Sequence, residues 1–386
     1  TNSKHRTMNK EIFIESLSNS TAVFVDWDDQ EYVVRDLMDR AYKEKHDQVK
    51  LTETVNQVEY FVELMSAVLG GGSLVRGKVL PDSKPTGTYS SYTSGSTGVP
   101  KLVSHNLENF IAPSVAMSST ENMNEGSTFL AYLPTSTNAV FGVGMMPSAL
   151  ANSRVVFKKF NPFQVVADIR KYSPTHTTLP PGIYTPVSKT KEWQNVDLRT
   201  FEYVLSGSNF TAPGFFEDIK SKGGNPTHGY GTTEMPAIMC AYRGSEQHLG
   251  KIWYPGAEWK EVDGELWCRW NHMPWWQSGD MIEVDPIHGP RITGRKDNQF
   301  KYNDYKIVPE TYELTVKQHD HVVDAMLKLE KHLVLYYEGT ASPADLEDML
   351  LKYNSKETMP KKITQVKALP RTDLGKLDRN GKVLLK

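Results

Sequence analysis

Tyr92-Thr93-Ser94-Gly95-Ser96-Thr97-Gly98-Val99-Pro100-Lys101 is the stretch on which the reading of this chain turns. It crowds hydroxyls, glycines and one lysine into ten positions. Glycines let backbone N–H groups wrap a phosphate, hydroxyls add donors and lysine adds charge. The segment is not a Walker loop, which ends Gly-Lys-Ser/Thr, because Val99-Pro100 precede Lys101. By composition alone it serves equally well as a serine- and glycine-rich surface loop, so its meaning depends on what surrounds it.

Upstream, Ala22-Val23-Phe24-Val25-Asp26 reads as a strand, and Val34, Leu37, Met38 and Tyr42 recur at helical spacing. Val58 to Leu69 forms another amphipathic helix, stopped by Gly70-Gly71-Gly72 and followed by the β-run Ser73-Leu74-Val75. Downstream, Phe129–Leu133, Arg154–Phe157 and Tyr203–Leu205 read as strands. Phe163–Tyr172, opened by Asn161-Pro162, and Ala212–Ser221 read as helices. Val262–Trp270 and Met281–Val284 read as further strands. The tail has a hairpin over Ala325–Glu330 and His332–Tyr337, then a helix capped by Ser342-Pro343. Helix, stop and strand in alternation predict an α/β fold. At 386 residues the chain exceeds one ordinary core. We expect a large multi-subdomain α/β N-terminal domain over 1–295 and a small α+β C-terminal domain over 296–386.

Bulk properties narrow the function. Hydrophobic residues make up 39% and charged residues 23%, values of a folded chain, and the net charge of −2 supports neither nucleic-acid nor membrane partners. Cys240 and Cys268 have neither disulfide-framework nor zinc spacing. No apolar run spans a bilayer, and the polar Thr1–Lys10 does not read as a signal peptide. The expectation is a cytoplasmic protein.

Four more segments follow the first in a fixed order: Gly229-Tyr230-Gly231-Thr232-Thr233-Glu234, Ser278-Gly279-Asp280, Gly294-Arg295-Lys296-Asp297-Asn298-Gln299-Phe300-Lys301 and Leu369-Pro370-Arg371-Thr372-Asp373-Leu374-Gly375-Lys376. Together the five resemble the motifs of the adenylate-forming superfamily, the AMP-dependent acyl- and aryl-CoA synthetase-like ligases, here in a short form. The resemblance implies an enzyme that activates a carboxylic acid as acyl-AMP with release of pyrophosphate, using ATP and Mg²⁺. It then transfers the acyl group to a thiol, with CoA as co-substrate. Thr93, Ser94, Gly95, Ser96, Thr97, Gly98 and Lys101 would hold the β- and γ-phosphates. Gly207, Ser208, Tyr230, Gly231 and Thr232 would line the nucleotide, and Asp280 and Arg295 the ribose. Thr233 would meet the α-phosphate, Glu234 would hold Mg²⁺, and Asp297 would be the hinge of the small domain. Lys376 would be catalytic, stabilising charge that builds between carboxylate and α-phosphate.

The resemblance places the acid near Asn138, Phe141, Gly142, Ser206, His228 and Gly229. Thr137 to Gly142 contains no acidic residue to pair with an α-amine, so an aryl or aliphatic acid is expected rather than an amino acid. The stretch before Thr93 is compressed relative to the family. Asp304 stands where the family has a glycine near the pantetheine arm, which keeps a carrier-protein pantetheine or another nucleophile open as acceptor. Thr311 and Ser278 replace a glutamate and a threonine. A non-catalytic nucleotide-binding protein is the alternative of another class, and a homodimer is left open. His319-Asp320-His321 reads as a turn rather than a metal site, and Trp275-Trp276 as buried against the following loop.

Overall fold

The computed structural model describes residues 8–53, 56–76, 85–93, 101–133, 140–207, 210–235, 237–302, 305–371 and 377–383. The first strands are β1 (Val23–Val25), β2 (Glu31–Val33), β3 (Val49–Thr52) and β4 (Ser73–Arg76). The pair β5 (Tyr89–Thr93) and β6 (Lys101–His105) comes next. Then follow β7 (Thr128–Ala131), β8 (Arg154–Phe157), β9 (His176–Thr178), β10 (Tyr203–Ser206), β11 (Pro226–Tyr230) and β12 (Cys240–Tyr242).

Runs such as Val155-Val156-Phe157 and Tyr203-Val204-Leu205 are apolar on both faces, which suits the interior of a parallel sheet covered by helices. They occupy an eight-stranded sheet of order β12-β11-β10-β9-β7-β8-β1-β2. Its pairs are parallel from β1 to β11 and antiparallel only at the two ends. One face carries Phe24, Phe129, Val155, Tyr203 and Leu205 into a first core with the helices Lys10–Ser18, Val34–Glu44 and Gln57–Gly70. Phe24 meets Phe61 and Phe157 edge-on at 5.3 and 6.0 Å. The other face carries Val25, Leu130, Val156 and Val204 into a second core with the helices Val165–Tyr172, Pro181–Ser188 and Phe215–Ser221. Burying each large apolar side chain contributes about 1.5–3 kcal/mol, so both faces of the sheet are committed. The expected glycine stop operates as read: Gly71 caps the helix Gln57–Gly70 in the left-handed region, at φ 78°.

β3, β4, β5 and β6 form a smaller sheet, parallel until the antiparallel pair β5–β6, in which Thr93 lies opposite Lys101. A third sheet contains β13 (Ala257–Val262), β14 (Glu265–Trp270), β15 (Trp276–Asp285) and β16 (Gly289–Arg295) in that order. The single strand expected over Val262–Trp270 is therefore a hairpin corner. Asp263 and Gly264 take φ of 53° and 75°, the pair of left-handed residues that a two-residue hairpin turn demands.

The remaining strands are β17 (Phe300–Tyr302), β18 (Tyr305–Ile307), β19 (Val322–Leu329), β20 (Leu333–Gly339) and β21 (Lys362–Val366). β19 and β20 form the expected hairpin, and β21 joins parallel to β20. Ile307, Tyr312, Leu327, Leu335, Leu346 and Leu350 are in a core of their own there. Ser342 caps the helix Pro343–Leu351 by accepting from the Ala344 N–H at 3.2 Å. The chain divides into two compact units. One comprises Thr1–Glu258, Cys268–Trp276 and Ile287–Gly289. The other comprises Trp259–Trp267, Gln277–Pro286 and Pro290–Lys386. Among the described residues no helix is long and apolar enough to cross a membrane.

Candidate active site

The carboxyl ends of β10 and β11 are where an open α/β sheet exposes loops to a ligand. In the first unit β11 runs directly into Gly231-Thr232-Thr233-Glu234. Gly231 approaches the returning chain so closely that a Cβ there would lie 2.7 Å from the Ala237 carbonyl oxygen and 3.0 Å from the Ile238 Cα. Only glycine fits that turn. Thr232 Oγ1 accepts from the Met235 N–H at 3.1 Å, and the Thr233 carbonyl accepts from His105 Nε2 at 2.7 Å. These bonds present Glu234, half-buried, to a cleft of about 360 Å³. Lys101, His105, Asn109, Met273, Trp275 and Trp276 also line it, and Trp276 is exposed, so this tryptophan pair is not buried against the following loop as expected.

Tyr230 is buried at the end of β11, its ring 6.0 Å from that of Trp253. Sequence reading did not single out Trp253, which is tied locally by its indole N–H to the Gly250 carbonyl at 3.2 Å. Nor did it find Glu121. This side chain, 1% exposed, is ion-paired with Arg243 and accepts from the Tyr254 hydroxyl at 2.9 Å. It braces β12 and the Trp253-Tyr254 segment from the helix Glu108–Thr120. Partners more than a hundred residues apart leave no spacing signal.

The five described residues expected around the acid do not share one surface. Side chains alternate along a strand. Leu205 points into the first core and Val204 into the second, so Ser206 and its register neighbour His228 lie on the second-core side. By the same alternation Tyr230 shares the face of His228. Gly229 takes the opposite face, where a Cβ would lie 2.5 Å from Leu205 Cδ1. Phe141 is on the first-core side as well, with rings of Phe110, Tyr89 and Tyr60 at 5.1, 6.3 and 6.5 Å. Gly142 is buried in the same helical turn. Gly207 sits against the Gly229 carbonyl, 2.9 Å from where its Cβ would be.

His228 is 7% exposed, and burial lowers its pKa to about 4. The ring bonds to the backbone of His248, which leaves Nδ1 without a hydrogen-bond partner among the described residues. Ser206 Oγ, beside it on the sheet, is also buried and unpartnered among the described residues. Leaving such groups buried and unpaired is costly, so a ligand that bonds to them would be favoured.

The second unit brings three other expected residues together. Asp280 is buried on β15, and its Oδ1 accepts from Arg295 Nη1 at 2.8 Å; the same nitrogen donates to the Ser278 carbonyl at 2.8 Å. Arg295 Nη2 lies 4.0 Å from the Asp297 carboxylate, at the start of the short turn Lys296–Asn298. The Gly279 N–H donates to Glu265 at 2.9 Å, and Lys296 pairs with the same carboxylate at 2.8 Å. That pairing leaves the Glu265 pKa lowered despite burial, which acts to raise it.

Ser94–Gly98, Asn138, Ser208 and Lys376 lie outside the described residues, as does Asp304, and of Thr93 only the backbone is described. Lys376 is framed by described neighbours. Arg371 and Leu377 form an antiparallel bridge, and Arg379 binds Glu313 at 2.6 Å and Glu310 at 3.4 Å. Glu313 is fully buried, and that burial raises its pKa against the pull of Arg379.

The family model for AMP-binding enzymes matches residues 13–267. The chain belongs to the AMP-binding enzyme family. It is 26% identical over 276 residues to 2-succinylbenzoate–CoA ligase of Escherichia coli strain K12, covering 66% of this chain and 58% of that one. It is 25% identical over 344 residues to anthranilate–CoA ligase of Pseudomonas aeruginosa, covering 75% and 65%. The chain thus spans a little over half the length of the first of these relatives. In fold it is similar to ATP-bound MatB from Rhodopseudomonas palustris, with a TM-score of 0.79 at 17% identity over 97% of this chain and 98% of that one. It is also similar to o-succinylbenzoate CoA synthetase (MenE) from Bacillus subtilis in complex with the intermediate OSB-AMP, with a TM-score of 0.79 at 16% identity over 95% and 96%. The expected α/β large domain with a small C-terminal domain is the fold of this AMP-binding enzyme.

The donor set at Glu234 suits Mg²⁺. Among the described residues no group of three or more Asp, Glu, His or Cys side chains gathers as a metal cage. Mg²⁺ instead takes one or two carboxylates and completes its shell with water and substrate phosphate, which is what a single carboxylate at Glu234, facing an open cleft, offers.

Proposed function

We propose that this AMP-binding enzyme joins a carboxylic acid to the α-phosphate of ATP, releases pyrophosphate, and passes the acyl group to the thiol of CoA. The observation that carries the reading is that Glu234, just after β11, and Lys101 line one cleft. Both reactants are anions, so the site must cancel charge and align them. Mg²⁺ held by Glu234 would draw charge from the phosphates. Lys101, with the Ser94–Gly98 backbone, would hold the β- and γ-phosphates, and Thr233 the α-phosphate.

The sheet face that carries Tyr230 and His228 on β11 also carries Ser206 on the neighbouring β10. Adenine would lie against Tyr230, its amino group donating to His228 Nδ1. That moves Ser206 and His228 from the acid to the nucleotide and leaves the acid on the Gly229 side, with Gly142. Asp280, held by Arg295, would accept from the ribose hydroxyls. Asp297 would serve as the hinge of the small C-terminal domain, and Lys376 as the transition-state cation. The acid would be aryl or aliphatic, in keeping with the absence of a carboxylate between Thr137 and Gly142.

The test is acid-dependent pyrophosphate release from MgATP over a panel of aryl, short-chain and long-chain acids, with and without CoA. Turnover that needs CoA and yields acyl-CoA supports the reading. A single burst of bound acyl-AMP, indifferent to CoA, would replace the acceptor by a carrier-protein pantetheine or another nucleophile. ATP binding with no pyrophosphate release for any acid would replace the enzyme by a nucleotide-binding protein. Lys376→Ala should lose roughly two to three orders of magnitude in adenylation rate, the cost of one preorganised donor. Near-normal adenylate formation by that variant would remove Lys376 from the mechanism.

A further inference from the structure

His105 ends β6 and is 3% exposed, its ring edge-on to Phe110 at 5.7 Å. Its two nitrogens face partners of opposite kind. Nε2 lies 2.7 Å from the Thr233 carbonyl oxygen, 128 positions along the chain. Nδ1 lies 3.3 Å from Asn109 Nδ2. A carbonyl can only accept, so Nε2 carries the proton. An amide NH₂ can only donate, so Nδ1 does not carry one. The two neighbours thus select one neutral tautomer, and burial, which lowers the pKa of this histidine, acts in the same direction.

The selected N–H holds the backbone one residue before Glu234. Thr232 Oγ1, bonded to the Met235 N–H, closes the turn on its other side at 3.1 Å. The Glu234 peptide is clamped between two bonds, and His105, Asn109 and Glu234 all line the same cleft. We propose that His105, in the tautomer set by Asn109, is a positioning residue that aims the Glu234 carboxylate at the metal-bound nucleotide. It acts through the Thr233 backbone. The role rests on the reading of Glu234 as the magnesium ligand, and outer-shell partners of this kind typically change metal affinity or activity about 10–100-fold when lost.

Two measurements on the full chain test it. The first is the long-range ¹H–¹⁵N spectrum of the imidazoles at pH 7 in protein free of metal and nucleotide. His105 should show the proton on Nε2 alone; a proton on Nδ1, or a mixture of tautomers, overturns the proposal. The second is calorimetric binding of a non-hydrolysable ATP analogue, with Mg²⁺ and with EDTA. His105→Phe should weaken binding about tenfold with Mg²⁺ and leave it unchanged in EDTA. His105→Gln, whose amide can still donate to Thr233, should recover most of the loss. Equal weakening in both conditions, or no recovery by glutamine, would reduce His105 to a packing residue and overturn the proposal. Glu234→Gln runs in parallel. If it weakens only the Mg²⁺-dependent binding while His105→Phe does not, the positioning role alone falls. If it changes nothing, the magnesium reading falls and the positioning role falls with it.

Discussion

Replacing His228 by asparagine should flatten the acid limb of the stability curve. His228 is buried with a pKa near 4, against an ordinary value of 6.5 in the unfolded chain. Between those values the unfolded chain binds a proton that the folded chain refuses. Stability is therefore fully present above pH 6.5 and is lost as pH falls toward 4. The gap of about 2.5 pH units corresponds to roughly 3 kcal/mol in all, of which about 2 kcal/mol is lost between pH 7 and pH 5. Asparagine carries no such proton. Its own fixed cost, from losing the bond to the His248 backbone, shifts the curve vertically and leaves the slope alone. His105 and His176, also lowered by burial, remain in both proteins and cancel in the difference. Urea unfolding of the unliganded wild type and His228→Asn, at half-unit steps from pH 7 to pH 5, measures that difference. The wild type should lose about 2 kcal/mol more than the variant over the range. Parallel curves would show that the ring is charged, or water-exposed, in the folded protein, and would refute the burial argument.

Two further predictions concern the second unit. Arg379→Met leaves Glu313 buried beside Glu310 without its cation, which should cost about 3–5 kcal/mol. Thermal unfolding followed by circular dichroism should show an earlier transition for Arg379→Met than for Glu313→Gln, which removes the buried charge instead of stranding it. Gly339→Ala should destabilise the β19–β20 hairpin by at least about 1–3 kcal/mol from backbone strain alone. Gly339 has φ of 135°, and a Cβ would fall 2.0 Å from the His321 carbonyl oxygen. Unchanged amide-exchange protection across that hairpin in the variant would contradict the prediction.

The fold was legible where a single physical rule acts along the chain. Val155-Val156-Phe157 is apolar on both faces and could only be an interior strand, and three glycines after Leu69 could only end a helix. The Asp263-Gly264 corner was written just as plainly, yet the apolar residues on either side of it disguise two strands as one. The turn after β11 was legible as one unit because Gly231, Thr232 and Glu234 lie within a few bonds of one another. What the linear text could not convey is register. Ser206 and His228 become neighbours only once β10 and β11 are aligned, and that same alignment turns Gly229 to the other face. The bond between His105 and Thr233, and the brace from Glu121 to Arg243 and Tyr254, join separate elements across long sequence gaps with no periodicity to betray them.

The order of the large sheet has a consequence for how the protein is made. As the chain leaves the ribosome, β1 and β2 wait with one edge of β1 open until β8 emerges much later in synthesis. From then on β9, β10 and β11 dock one after another at the far edge, each leaving a parallel strand uncovered until its successor arrives. Only β12, antiparallel and short, closes the series. The strands that carry Ser206, His228 and Tyr230 are thus among the last to join the sheet. A nascent chain released before Cys240 would carry β11 itself as a bare, association-prone edge.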